Sequence, residues 1–306
     1  MPGPSSRPRL WIANLDAEET WARGRAGGAT LPKLARERMA ALGSLLRFAA
    51  APGDALWLPD WLDPGRLPAL GSGPVDILSG PPRGLCRLRR SFVFEPWARA
   101  APWSSDEDSR IAAAVNDRRF ALEVRRDLER EDRSRRPFAS RQVASLSDLR
   151  AAIEALEAPA EAEWVLKAPL SAAGRHRFRG RGSGLERADA ARIERLLARS
   201  GALIFEPWHR RDLDAGVLFE VGPRGALGEP RAHLQEVDPR GAVTALTVGP
   251  RAEARLGEGL DLLLETALRV AQRLAARGYR GPAGIDAWRF FGAAQRGNRR
   301  WHPLGE

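Results

Sequence analysis

A single cysteine, Cys86, stands among 306 residues. A lone thiol excludes an internal disulfide framework and a cysteine-based metal site. The four histidines, His176, His209, His233 and His302, are scattered without the helical H-x-x-x-H spacing of a zinc site. Long apolar runs are also missing: none approaches the roughly 18 residues of a membrane span. The opening stretch Met1-Pro2-Gly3-Pro4-Ser5-Ser6-Arg7-Pro8 has no apolar signal-peptide core. A cytoplasmic protein with no membrane partner is expected. Lysine is the scarcity that says most. Of 49 basic residues only Lys33 and Lys167 are lysine, and the other 47 are arginine.

A composition that favours arginine this strongly should retain lysine only where a compact point charge is needed and a planar guanidinium fork does not fit. Lys167 ends the apolar run Trp164-Val165-Leu166 and precedes Pro169 and a loop with Gly174, Gly180, Gly182 and Gly184. This is a strand that delivers an ammonium to the mouth of a glycine loop. At 33.5 kDa the chain holds two or three packed domains, because single cores stop growing near about 250 to 300 residues. A hydrophobic fraction of 43% excludes a disordered chain. The net charge of +10 points to polyanion partners, but 39 acidic residues are interspersed with the basic ones and no basic tail is set apart.

The first hundred residues alternate short strands, at Leu10–Asn14, Ala55–Leu58 and Val75–Leu78, with an amphipathic helix from Leu31 to Ala50, which predicts a parallel α/β unit. Pro96, Pro102 and the polar stretch 104–108 mark a boundary. A helix from about Ser105 to Leu128 and an exposed charged link from Glu129 to Arg136 come next. Ser145 and Asp148 form a capping box for a helix reaching Leu156. The strand 164–167, the glycine loop, a helix Arg187–Arg199 closed by Gly201 and a strand Ala202–Phe205 complete an α+β unit. From Asp214 the texture turns to β, with strands at 216–221, 233–237 and 243–248. A helix Leu260–Ala276 capped by Gly278, a strand 284–290 and the segment 301–306 follow. The tripeptide Glu-Pro-Trp occurs at 95–97 and 206–208, but its flanks do not match and no repeat is inferred.

Three constellations carry candidate chemistry. In the first, Lys167 and the loop Ser171–Gly182 join a lysine to small residues whose backbone N–H groups can approach phosphate oxygens as an anion nest. It is not a Walker A loop. If residues 175–181 are extended, Arg175, Arg177, Arg179 and Arg181 share one face, to clamp a triphosphate or to track a nucleic-acid backbone. A solvated hairpin of alternating charge is the competing reading. The second, Leu203-Ile204-Phe205-Glu206-Pro207-Trp208, is a strand broken by proline. It suits a hinge whose backbone reads an adenine edge, or a plain inter-domain crossover. The third pairs Asp286, costly to bury in an apolar strand unless paired or bound to a cation, with Glu306. Two such carboxylates suit Mg²⁺, although either could instead pair with an arginine.

In this order, the segments V-L-K-A-P-L-S-A-A-G, L-I-F-E-P-W and G-Y-R-G-P-A-G-I-D-A-W-R-F (278–290) resemble the ATP-grasp superfamily over residues 105–306. The resemblance implies an N-terminal Rossmann-like pre-ATP-grasp domain over 1–104. A two-subdomain ATP-grasp fold would follow, with a small lid subdomain over 105–207 and a large subdomain over 208–306. It further implies a ligase that activates a carboxylate as an acyl phosphate for attack by an amine or thiol, with ATP and Mg²⁺ as cofactors. Lys167 would contact the α and β phosphates, and the loop, with Ser171, Gly174 and Arg175, would cover the β and γ phosphates. Ile204, Phe205 and Glu206 would hold the adenine, and Asp286 and Glu306 the metal. The family's earlier phosphate-binding lysine is replaced in Asn116-Asp117-Arg118-Arg119-Phe120 by arginine, with Arg118 or Arg119 the candidate. The family pattern continues past the second acid, so a truncated copy or a non-catalytic remnant is a further expectation. A basic nucleic-acid-binding protein using Arg175 to Arg181 is the alternative from a different class.

Overall fold

The computed structural model describes residues 8–12, 17–22, 33–48, 50–58, 75–79, 93–94, 107–131, 138–158, 160–171, 176–238, 243–291 and 299–305. The chain divides into two compact units, Met1–Ala113 and Ala114–Glu306.

In the first unit, β1 (Arg9–Ile12), β2 (Ala55–Leu58), β3 (Asp76–Ser79) and β4 (Val93–Phe94) form a sheet of order β3-β2-β1-β4 in which every pairing is parallel. Leu10, Leu56 and Leu58 are completely buried, as short apolar runs in a parallel sheet should be. After β1 come α1 (Ala17–Ala22) and α2 (Lys33–Gly43). The helix expected to reach Ala50 changes at Gly43 into a 3-10 turn, Ser44–Phe48. Here the Ser44 hydroxyl donates back to the Ala41 carbonyl at 2.6 Å, the kind of local bond that competes with a helix. Asp54 is buried and accepts from the Arg9 amide (2.8 Å), the Trp11 indole (2.9 Å) and the Ala51 amide (2.9 Å), which fixes β1 against the turn into β2. The expected boundary at Pro96 and Pro102 lies outside the described residues.

The helix expected over 105–128 is two helices, α3 (Glu107–Asn116) and α4 (Arg118–Glu131). Asp117 breaks it: its carboxylate accepts from the Arg119 amide at 2.8 Å and so starts a new helix. Phe120, Val124 and Leu128 of α4 enter the core beneath the large sheet described below.

A small antiparallel sheet follows, made of β5 (Arg141–Val143), β6 (Glu163–Lys167), β7 (Arg177–Arg181) and β8 (Leu203–Pro207) in the order β5-β8-β6-β7. One face is covered by α5 (Leu146–Glu154) and α6 (Arg187–Ser200) through Leu149, Ile153, Ile193 and Leu197. The capping box forms: Ser145 Oγ accepts from the Asp148 amide at 3.0 Å, and the Asp148 carboxylate accepts from the Ala144 amide at 2.9 Å. Part of the glycine loop is itself a strand, because β7 pairs with β6 along its whole length. Gly180 is required there, since a Cβ would lie 2.2 Å from the Trp164 ring that rests on it.

The large sheet contains β9 (Arg211–Val221), β10 (Arg231–Val237), β11 (Val243–Val248), β12 (Gly281–Phe291) and β13 (Arg299–His302), all antiparallel, in the order β11-β10-β9-β12-β13. Alternation along β9 sends Leu213, Ala215, Val217, Phe219 and Val221 into a core with α7 (Pro250–Leu256) and α8 (Gly259–Ala276). The latter ends at Gly278, which has φ +85°, while the Tyr279 amide bonds back to the Leu274 carbonyl. The opposite face carries Gln235, Asp286, Trp288 and His302.

Candidate functional site

Strand parity sorts the small sheet. Leu166, Leu203 and Phe205 enter the core with α5 and α6, so their neighbours Lys167, Ile204 and Glu206 point to the other face, where Lys167 pairs in register with Ile204. Of the hinge triplet, Ile204 and Glu206 therefore turn side chains to that face, and Phe205 offers it only backbone. Lys167 Nζ lies 2.8 Å from Glu206 Oε2, and Arg125 Nη2 lies 3.3 Å from Glu206 Oε1. Arg125, on α4, also donates to the Ser140 hydroxyl and to the carbonyls of Leu304 and Gly305.

The large sheet meets this face through β12. Alternation places Asp286, Trp288 and Phe290 on the side away from α8, and Lys167 Nζ is 5.9 Å from the centre of the Trp288 ring. Trp288 stacks on His302 at 4.1 Å, Phe138 meets His302 edge-on, and the Arg211 guanidinium lies 3.9 Å from Trp288. His302 is 1% exposed, and neither ring nitrogen has a hydrogen-bond partner among the described residues. Burial, reinforced by Arg125, Lys167 and Arg211, holds its pKa well below the ordinary value. Nearby His209 is pushed down to about 4, mainly by burial and then by Arg300 and Arg211, against a weak pull from Glu157. The surroundings of Trp288 are thus aromatic, with Arg125, Lys167 and Arg211 around them.

Two residues along β12 from Trp288, about 7 Å on the same face, stands Asp286. It is exposed, and its Oδ1 accepts from the Gln235 amide at 2.9 Å. His233 lies over Gly216, where a Cβ would come within 2.7 Å of the ring. Burial lowers the His233 pKa, opposed by the Arg231 carbonyl and by Asp286. Among the described residues no three His, Cys, Asp or Glu side chains converge as a metal cage. The fit to Mg²⁺ is that of a single hard oxygen donor, which suits an ion that commonly takes one or two carboxylates and completes its shell with substrate phosphates and water. Glu306, its expected companion, lies outside the described residues, as do Gly174 and Arg175.

Arg118 opens α4 and reaches the segment after Lys167: it donates to the Ala168 carbonyl (2.8 Å), the Ser171 hydroxyl (2.8 Å) and the Ser171 carbonyl (2.7 Å). Ser171 is buried beneath it. Arg118 thus anchors the start of the glycine loop. On β7 the expected one-sided display holds for Arg177, Arg179 and Arg181, with Phe178 in the opposite core. Arg179 pairs with Glu163 at 3.0 Å and lies over Trp208, so this arginine is already engaged within the protein.

No family model and no curated protein sequence matches the chain. Among solved structures it is similar to N5-carboxyaminoimidazole synthetase from Staphylococcus aureus, complexed with ADP, at 11% identity over 98% of this chain and 71% of that one, with a TM-score of 0.52. The chain has the ATP-grasp fold. A D-alanine–D-alanine ligase from Bacillus anthracis is a more distant likeness, at 8% identity over 94% of this chain and 84% of that one, with a TM-score of 0.49. Of the expected site residues, Lys167, Ile204 and Glu206 share one face of the small sheet, and Asp286 stands two residues along β12 from Trp288, the ring nearest Lys167. Arg118 and Ser171 stand together beside Lys167. Arg125, Trp288 and His302 join them without having been singled out from the sequence. Trp288 had a legible signal, two residues from Asp286 in an alternating strand, whereas Arg125 is one arginine among many.

Proposed function

We propose that the protein is an ATP-dependent, carboxylate-activating ligase that binds Mg-ATP between its small and large sheets. The observation that carries this reading is the setting of Lys167, one of only two lysines, at the meeting of both sheets, beside Trp288, which is itself one strand repeat from Asp286 on β12. Lys167 binds the α and β phosphates. The loop with Gly174 and Arg175, anchored by Arg118 on Ser171, covers the β and γ phosphates. The backbone of 204–206, with the Glu206 carboxylate, receives the adenine. Asp286, with Glu306, holds Mg²⁺, which when bound neutralises phosphate charge. Small and large subdomains over 105–207 and 208–306, following in the chain an N-terminal domain over 1–104, belong to the same reading, as does a cytoplasmic setting. ADP in the similar S. aureus enzyme is in keeping with it.

In the reaction, a carboxylate oxygen of the substrate attacks the γ phosphorus and ADP leaves with the electron pair of the bridging bond. An amine or thiol then attacks the acyl carbon, phosphate departs, and the nucleophile gives its proton to water or a base. The protein contributes position and charge neutralisation and needs no nucleophile of its own. The test is to incubate the protein with Mg-ATP, pooled carboxylic acids and hydroxylamine. ADP and hydroxamate should form in equal amounts with at least one acid, and Asp286→Ala should abolish both. Tight Mg-ATP binding with no hydroxamate from any acid would overturn the ligase assignment and favour a nucleotide-binding protein without turnover.

A further inference from the structure

The Glu206 carboxylate holds two cations at once, and the two are held differently. Arg125 is fixed at every side: Nε donates to Leu304 O (3.0 Å), Nη1 to Ser140 Oγ (2.8 Å), and Nη2 to Gly305 O (3.1 Å) as well as to Glu206. Its side chain is 7% exposed, that of Glu206 4% and that of Lys167 13%. Lys167 reaches Glu206 with a single ammonium on a flexible stem, the more mobile kind of cation. Glu206 holds that ammonium at 2.8 Å, so a phosphate must compete with a carboxylate for it. Stripping a buried carboxylate of its cation is strongly unfavourable, because the charge has left water and found nothing in return.

We propose that Arg125 is a positioning residue, the resident counter-ion of Glu206, which lets Lys167 exchange Glu206 for a nucleotide phosphate. The inference rests on the nucleotide-binding reading above. With Arg125 in place, departure of Lys167 leaves Glu206 compensated, and its freed Oε2 accepts a hydrogen bond from an exocyclic amine of the base. The lysine and the base therefore change places on one carboxylate. Two cations around one carboxylate also leave the cluster with a net positive charge before the ligand arrives, which complements a polyphosphate.

The test uses two probes on the intact chain: Mg-ATP, and magnesium tripolyphosphate, which has the phosphates without the base. Wild type should bind both. Arg125→Met should weaken tripolyphosphate binding by about tenfold or more, since Lys167 is then needed on Glu206. Arg125→Met/Glu206→Gln should bring tripolyphosphate affinity back to within about threefold of wild type, because a neutral amide needs no cation. A merely structural role for Arg125 predicts no such rescue. Wild-type tripolyphosphate affinity in Arg125→Met, or a double variant no better than the single one, overturns the proposal. If Arg125→Met does not fold, Glu206→Gln alone decides: tripolyphosphate should bind more tightly than to wild type, and weaker binding overturns the exchange. If wild type binds neither probe, the nucleotide reading itself fails and the exchange falls with it.

Discussion

His302 should make the protein acid-sensitive in a way that can be removed by one substitution. Its ring is 1% exposed, stacked on Trp288, with no hydrogen-bond partner on either nitrogen among the described residues, and it faces Arg125, Lys167 and Arg211. The folded protein therefore keeps it neutral well below pH 6.5, while the unfolded chain protonates it near 6.5. Above that pH both states are neutral and stability is unaffected. As pH falls below it, the unfolded state binds the extra proton and stability is lost, at about 1.4 kcal/mol per pH unit for one such group. Going from pH 7.5 to 5.5 should thus cost about 1.4 kcal/mol through His302. His209, lowered to about 4, and His233, also lowered, act in the same direction, His209 less fully because it is partly exposed. Urea unfolding of wild type and His302→Leu at pH 7.5, 6.5 and 5.5 reads the effect, and the variant should lose about 1.4 kcal/mol less than wild type between pH 7.5 and 5.5, most of it below pH 6.5. Identical slopes, or an NMR titration placing His302 near 6.5 in the folded protein, would refute the reasoning.

Gly180→Ala should destabilise by about 1–3 kcal/mol in urea unfolding, because the new Cβ lies 2.2 Å from a buried Trp164 ring tethered to the Gly182 carbonyl; an unchanged midpoint would contradict this packing. Asp54→Ala leaves the Arg9 amide, Trp11 indole and Ala51 amide without their acceptor and should cost about 3 kcal/mol or more. Faster hydrogen exchange of the Arg9 and Ala51 amides is the readout. Ser145→Ala removes the cap of α5 and should cost about 1 kcal/mol, seen as a lower unfolding midpoint, with Ser145→Asn close to wild type.

Residue patterns that depend on near neighbours in the chain were readable. Alternation in Ile285-Asp286-Ala287 set the acid on one face of β12, Ser145 and Asp148 announced a helix start, and Gly278 announced a helix end. Features decided by distant partners were not. Asp117 reads as one more polar residue in a helix until its carboxylate is seen on the Arg119 amide. The sequence allowed an extended 175–181 segment, but its pairing with β6 and the Trp164 ring over Gly180, which supply the reason for β7, come from elsewhere in the chain. The short helix α7 was passed over in the turn between β11 and α8. Arg125 left no trace in a chain with 47 arginines, since its role comes from Ser140, Glu206 and the 304–305 carbonyls, brought together only by the fold. Phe205, expected with its neighbours to hold the adenine, turns its side chain into the core of the small sheet, a matter of parity that depends on which side α5 and α6 take.

Nucleotide binding at Lys167 is best tested by the thermal and calorimetric response to Mg-ATP of wild type beside Lys167→Met. Wild type should be stabilised by about 2.7 kcal/mol when Mg-ATP reaches 100 times its Kd. Lys167→Met should keep the wild-type fold and lose that stabilisation. No response of wild type at millimolar Mg-ATP, or an equal response from Lys167→Met, would contradict the assignment of this cleft as an ATP site.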